Sequence, residues 1–279
     1  MEIQINEIVS KKILTEAKGY LDVGFTHSLN PYSGCVFSCS YCYVREMPIQ
    51  RFKEIPWGKW LDIKINAAEN YRNEIIKLRK KDKRINIFMS SATDPYQPIE
   101  RKVKITRGLL EEMIEYPPDF IQIQTRSPLI TRDLDLLVKL KEKCKVLVSM
   151  TIETDRDDIR QIFSPFTSGI QLRLKALKQV HDEGIATQAS ISPVLPFTPA
   201  FPTALEGIAD HIWIDTLSIG DGAMGKRSER LGMPKKFEEH SLSKWYRKDL
   251  HEMVERHFKK YLPEKSIRVS KNEAFPKSD

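Results

Sequence analysis

The chain has 279 residues, 41% of them hydrophobic and 30% charged, enough for a large core in one or two domains. No apolar run approaches the ~18 residues of a membrane span, and the charged start MEIQINEIVSKK lacks the apolar stretch of a secretory signal; secreted and membrane classes are set aside and a cytoplasmic location is expected. A net charge of +7 gives polyanionic partners only mild support, because lysines and glutamates are mixed along the chain and solvated helix faces account for most of them.

Taken in order, residues 1–22 read as an N-terminal extension. Ile3 to Tyr20 is short and polar, with Ile8, Ile13 and Leu14 as its small apolar set, and is expected to pack across the outside of the body. Phe25 to Ser33 leads into a first core strand and then into Asn30 to Tyr43, NPYSGCVFSCSYCY. Ala67 to Lys81 carries Ala67, Tyr71, Ile75 and Leu78 at near-helical spacing, and its basic end suits a helix C-terminus. Ile85 to Ser90 is a short buried strand, followed by the loop SSATDPYQPIE. Ile105 to Tyr116 reads as helix, Phe120 to Thr125 as an alternating strand, Asp133 to Lys143 as helix and Lys145 to Thr151 as strand. Ile170 to His181 is amphipathic, with Gly184 placed to cap its end. Ile185 to Ser192 and His211 to Ser218 complete six strands, and Leu242 to Tyr261 forms a last charged helix in a C-terminal helical extension, 241–279, packed on the body. Strands of this length alternating with helices over 23–240 imply an α/β body with parallel pairing and right-handed crossovers. Chemistry in such folds collects at the C-terminal ends of the strands.

Three of the four cysteines, Cys35, Cys39 and Cys42, stand in the Asn30 to Tyr43 stretch at spacing C-x3-C-x2-C. Thiolates this close, on a turn of small residues, can converge on one metal cluster; a [4Fe–4S] cube with three cysteine ligands keeps one iron open for a substrate or second cofactor. Cys39 and Cys42 alone would also suit a redox pair or half a zinc site, although none of the six histidines adjoins the loop to complete one.

The stretch resembles the cluster loop of the radical S-adenosylmethionine enzymes, down to Tyr41 just before the third cysteine. The order ILTEAKG, NPYSGC, CSYCY is similar to the group of spore photoproduct lyase, the DNA repair photolyase-like proteins. The resemblance implies a partial (β/α)6 barrel of the TIM type, a [4Fe–4S] cluster on Cys35, Cys39 and Cys42, and S-adenosylmethionine bound at the open iron. It also implies a low-potential electron donor such as flavodoxin or ferredoxin, cleavage of the sulfonium to a 5′-deoxyadenosyl radical, and hydrogen abstraction from a substrate. By position it assigns Ser91, Thr93 and Asp94, after the second strand, to the cofactor's amino group, and Arg126, after the third, to its carboxylate. Ser149 and Thr151, with Glu153 nearby, are assigned to the ribose, and Ser192 to the adenine. Tyr41 and Tyr43 flank Cys42 as in the lyase, where the second tyrosine is implicated in hydrogen-atom relay. The lyase's hydrogen-donating cysteine is replaced here by Ser91 or Ala92, and Cys144, at the start of the fourth strand, lies at the wrong end of the barrel and reads as a structural thiol.

Gly220, Gly222 and Gly225 spell G-x-G-x-x-G, but the polar KRSERLGMPKK follows where a dinucleotide site needs an apolar helix. A flexible loop over the barrel mouth is expected instead, with Lys226, Arg227, Arg230, Lys235 and Lys236 either gripping phosphate or simply solvated. The expected function is radical chemistry on a substrate, a nucleic acid base by the resemblance, with a peptide or small metabolite as the alternative. A non-catalytic metal-binding module is disfavoured, because a structural site needs no groups for a cofactor.

Overall fold

A computed structural model describes residues 2–81 and 83–270. Its strands are β1 (Gln4–Ile8), β2 (Leu14–Glu16), β3 (His27–Leu29), β4 (Tyr32–Ser33), β5 (Trp60–Lys64), β6 (Asn86–Met89), β7 (Phe120–Thr125), β8 (Lys145–Thr151), β9 (Ala186–Ile191), β10 (His211–Ile214) and β11 (Ile267–Val269). The helices are α1 (Pro48–Arg51), α2 (Ala67–Arg79), α3 (Glu100–Val103), α4 (Ile105–Glu115), α5 (Leu134–Lys141), α6 (Asp157–Phe163), α7 (Ile170–Asp182), α8 (Lys226–Arg230), α9 (Met233–Glu239) and α10 (Leu250–Phe258).

The main sheet has the order β11-β10-β9-β8-β7-β6-β3-β2. From β3 to β11 every pairing is parallel, and the sheet does not close: an α/β partial barrel. The outward residues of its strands (Ile87, Ile121, Val148, Ala189 and Ile212 among them) join Tyr71, Leu109, Leu137 and Leu177 of the covering helices in one core. The inward residues alternate with these, as the two-residue period requires. They are of two kinds. Phe88, Phe120, Leu147 and Trp213 pack with Leu21 and Phe25 into an aromatic plug, with Phe25 edge-on to Phe88 at 5.0 Å and stacked on Phe120 at 5.8 Å between ring centres. Gln122, Ser149, Gln188 and Ser190, all buried, make the rest of the lumen polar.

Three expectations need correction. The polar N-terminal segment does not merely lie across the outside: β1 pairs parallel with β5, and β2 pairs antiparallel with β3 at the edge of the main sheet. The last helix is shorter than Leu242 to Tyr261, spanning Leu250–Phe258, and the chain beyond it adds β11 beside β10 as a seventh parallel strand. The glycine-bearing segment after β10 is not an open loop but folds into α8 and α9.

Candidate active site

A cavity of about 360 Å³ opens at the C-terminal ends of the barrel strands. Cys35, Cys39 and Cys42 enter it from one side, on the turn between β4 and α1. That turn is held by side-chain amides. Asn30 accepts the Ala92 and Thr93 N–H groups through Oδ1 at 3.0 and 3.3 Å. Gln97 accepts the Val36 N–H at 2.8 Å and donates to the Gly34 carbonyl at 3.2 Å. Gly34 stands at φ +82°, and a Cβ there would lie 2.5 Å from the Trp60 carbonyl oxygen; only glycine permits so close a passage. Ser38 and Ser90 also take positive φ, 48° and 77°, a strained conformation that clusters at functional sites.

The three thiols are pushed up chiefly by burial, Cys42 to about 11; neighbouring negative groups add to the rise at Cys35 and Cys42, whereas the Arg126 guanidinium opposes it at Cys39. A positively charged cluster would relieve that penalty and hold them as thiolates. Among the described residues no three His, Cys, Asp or Glu side chains converge closely enough for a single metal ion, which argues against a lone zinc. A multi-iron cluster asks for something else, because its thiolates bind different irons and stand apart around it. None of the histidines lines the cavity. The donor set therefore fits a cluster.

Arg126, at the end of β7, reaches over the thiols. Its Nη1 donates to Cys39 Sγ at 2.9 Å, to the Tyr41 hydroxyl oxygen at 2.8 Å and to Glu153 Oε1 at 2.8 Å. The Tyr41 hydroxyl donates to the same Glu153 oxygen. Arg173, fully buried on α7, donates to Glu153 Oε2 at 2.7 Å. Burial alone would push the Glu153 carboxyl up, but Arg173 and Arg126 outweigh it and hold the group below the usual range. Glu153 stays ionised beneath the site and fixes Tyr41 and Arg126 in place.

The remaining expected residues fall differently. Ser91, Thr93, Asp94, Thr151, Ser192, Tyr41 and Tyr43 all line the cavity with the cysteines and Arg126. Asp94 is already engaged at both oxygens: Oδ1 accepts the Tyr96 N–H and the Thr125 hydroxyl at 2.9 and 2.8 Å, and Oδ2 accepts the Arg126 N–H at 2.8 Å. It ties the loop after β6 to the end of β7. The Thr93 hydroxyl donates to the Tyr32 carbonyl at 3.3 Å, and Tyr43 donates to the Ser91 carbonyl at 2.5 Å. Ser90 Oγ, one residue earlier, is buried with no partner. The Thr151 hydroxyl accepts from Gln124 at 2.7 Å. Ser149 is not at the cavity wall. It sits one inward position deeper, where its hydroxyl accepts from Gln188 at 2.8 Å. Cys144 lies at the opposite, N-terminal end of the sheet, its thiol pushed up to about 12 chiefly by burial.

The glycine-rich segment is filled from within. The Asp221 carboxylate accepts the N–H groups of Ala223, Gly225, Arg227 and Ser228 at 2.8 to 3.0 Å, so the amides that could cradle a phosphate already hold an anion. Arg227 closes this turn by donating to the Asp221 carbonyl at 2.7 Å, and Arg230 pairs with Glu46 beside the cysteine turn at 2.7 Å. These two arginines brace the rim of the cavity.

Sequence reading passed over Gln124, Trp213, Asp215 and Ser270, which also line the cavity, and gave Arg173 no role. Asp215 had a signal: in HIWID it is the acid that follows three apolar residues, Ile212 to Ile214, directly after the end of a strand.

A family model described as Radical SAM superfamily matches residues 29–200. A protein of Methanocaldococcus jannaschii is 32% identical over 195 residues, 70% of this chain and 69% of its own. The chain spans 57% of the length of several further curated relatives. A protein of Pseudomonas phage M6 named Radical SAM Nalpha-GlyT isomerase is 26% identical over 168 residues, 60% of this chain and 32% of its own. Among solved structures, spore photoproduct lyase with bound AdoMet and dinucleoside spore photoproduct superposes with a TM-score of 0.65 over 95% of this chain and 81% of its own, at 15% identity. That likeness in fold covers more of the chain than the matched segment. With its three-cysteine turn, its open parallel barrel and the family match over residues 29–200, the chain belongs to the Radical SAM superfamily and is a radical SAM enzyme.

Proposed function

We propose that the chain holds a [4Fe–4S] cluster on Cys35, Cys39 and Cys42, binds S-adenosylmethionine beside it, and abstracts hydrogen from a nucleic acid base. The observation that carries the reading is the convergence of the three thiols with Arg126 on one cavity at the C-terminal mouth of the barrel. Held on these three cysteines, a cluster reduced by a low-potential donor would supply the electron for cleavage of the cofactor. The chain's own residues do the rest. The three contacts of Arg126 all use Nη1, which leaves Nη2 and Nε to fork onto the cofactor carboxylate. Ser91, with the unpartnered Ser90 hydroxyl next to it, offers oxygen acceptors to the amino group. Thr151 and Ser192 line the wall where the nucleoside would lie. Tyr41, held by Glu153, and Tyr43, held by the Ser91 carbonyl, stand on either side of Cys42 as hydrogen relays. Among the described residues no thiol other than Cys35, Cys39 and Cys42 lines the cavity, which supports a tyrosine in the place of a cysteine donor.

Nucleic acid is supported by the likeness in fold to spore photoproduct lyase, solved with a bound dinucleoside spore photoproduct. The basic segment does not support it as expected, since Arg227 and Arg230 are engaged within the protein. Anaerobic reconstitution tests the proposal. Iron and sulfide should reach four each per chain, and 5′-deoxyadenosine should form on reduction and rise with the right oligonucleotide. Each change of Cys35, Cys39 or Cys42 to Ala should abolish the brown chromophore, whereas Cys144→Ala should keep it. Loss of the cluster in Cys144→Ala, or its survival in Cys39→Ala, refutes the assignment.

A further inference from the structure

Three carboxylates line the cavity, and they are not equivalent. Both oxygens of Asp94 and both of Asp221 accept short hydrogen bonds from protein donors. In Asp215, at the end of β10, only one oxygen does. Its Oδ1 accepts the Thr216 N–H and the Ser270 hydroxyl, both at 2.8 Å. Its Oδ2 has one long contact, 3.4 Å, from the Ser192 hydroxyl. A carboxylate oxygen accepts two good hydrogen bonds, so Oδ2 has capacity to spare on the cavity wall. The backbone of Gly220 packs over the carboxylate so tightly that a Cβ there would lie 2.0 Å from Oδ2. The charged group acting on Asp215 is another acid, Asp221. Among the described residues of the wall the one cation is Arg126, whose free edge is taken by the cofactor carboxylate in the proposed function. With the cofactor bound, a phosphate entering here would face Asp215 and Asp221 and find no free cation, a repulsive arrangement. An N–H donor would find an open acceptor shielded from water, where a hydrogen bond is strong. Phe88 and Trp213 add flat apolar surface to the same wall.

We infer that Asp215 anchors the reacting end of the substrate by accepting an N–H hydrogen bond on Oδ2, so that a planar, N–H-bearing group enters the cavity and phosphate stays outside. The inference rests on the nucleic-acid reading only for the identity of that group, a nucleobase edge.

Trp57 and Trp213 line the cavity, so tryptophan quenching of cluster-loaded protein with S-adenosylhomocysteine reports binding. The probes are a short oligothymidylate, the same oligomer carrying N3-methylthymine, glycinamide and inorganic phosphate. Thymine suits the purpose because methylation removes its one N–H donor. Asp215→Asn is isosteric: its oxygen keeps the Thr216 and Ser270 bonds, which turns the cavity-facing atom from acceptor into donor. N3-methylation in the wild type and Asp215→Asn with unmodified oligomer should each weaken binding about tenfold or more, and phosphate should not compete. The methylation arm needs no variant and stands even if Asp215→Asn folds poorly. Oligothymidylate binding that neither change affects, or phosphate competing for the cavity, overturns the anchor and leaves the nucleic-acid reading intact. If oligothymidylate does not bind the wild type, the nucleic-acid reading falls and glycinamide decides the anchor. Binding that Asp215→Asn removes upholds it; no binding, or binding the variant retains, overturns it.

Discussion

Arg126 and Arg173 flank one carboxylate, Glu153, and their burial separates their roles. Arg126 keeps part of its guanidinium open to the cavity, with its side chain 18% exposed. Changing it to Ala leaves Glu153 paired with Arg173 and Tyr41, so the fold and the cluster should survive. Cofactor affinity should fall tenfold or more, since a hydrogen bond to a charged group contributes about 1.5–3 kcal/mol and about 1.4 kcal/mol is a factor of ten. Unchanged affinity by calorimetry would remove Arg126 from the cofactor site. Arg173 has no exposure at all and also donates to the Thr151 carbonyl and the Thr167 hydroxyl. Arg173→Met takes a buried partner from Glu153 and should cost about 3–5 kcal/mol in urea unfolding; a loss under 1 kcal/mol would show that Arg126 alone compensates Glu153. Arg126 was legible in the sequence because it follows a strand end directly. Arg173 was not, because it looks like any charged residue on an amphipathic helix until the helix is packed.

At the scale of elements, the cysteine turn depends on a frame brought from far along the chain. Asn30 reaches the loop after β6, and Gln97 returns from that loop to Val36 and Gly34. Gly34→Ala would combine a left-handed backbone with a contact of 2.5 Å to the Trp60 carbonyl. It should destabilise by more than about 1 kcal/mol and lower cluster content after reconstitution, with all three cysteines present. Full cluster loading at wild-type melting temperature would mean that the turn does not need this approach. The turn itself was legible because its signal is local: three cysteines within eight residues. So were β6 to β10, because a strand with helices on its outer face and side chains filling its inner one reads as an apolar run bounded by polar turns. Ser149 misled for a related reason. It shares the inward face with Thr151, two residues on, but a strand's period gives the face and not the depth, and depth is set by where β8 ends relative to β7 and β9.

At the scale of the molecule, β11 closes the cavity on the side the sequence left undescribed. Its three residues carry no periodic signal of their own, and their register against β10 comes from contacts some 55 residues away. Only that pairing brings Ser270 to Asp215. The consequence is measurable as a pH dependence. Burial is the largest cause raising the Asp215 carboxyl, from an ordinary 3.8 to about 7, while the Ser270, Thr216 and Ser192 bonds pull it down and Asp221 adds to the rise. A group whose folded pKa lies above its unfolded one contributes its full stability below 3.8 and loses it as pH climbs to about 7. Each unit of difference corresponds to about 1.4 kcal/mol, so ionised Asp215 opposes folding by a few kcal/mol above neutrality. Asp215→Asn removes that charge while keeping its shape. It should leave stability near pH 4 unchanged and raise it at pH 8, flattening the decline between the two in urea titrations. The gain would come at a site where the charge is useful, the common relation between stability and function. Equal stability of variant and wild type at pH 8 would mean that Asp215 is hydrated within the cavity and pays no penalty for its charge. A loss at both pH values would mean that its role is structural, to hold β11 on β10 through Ser270.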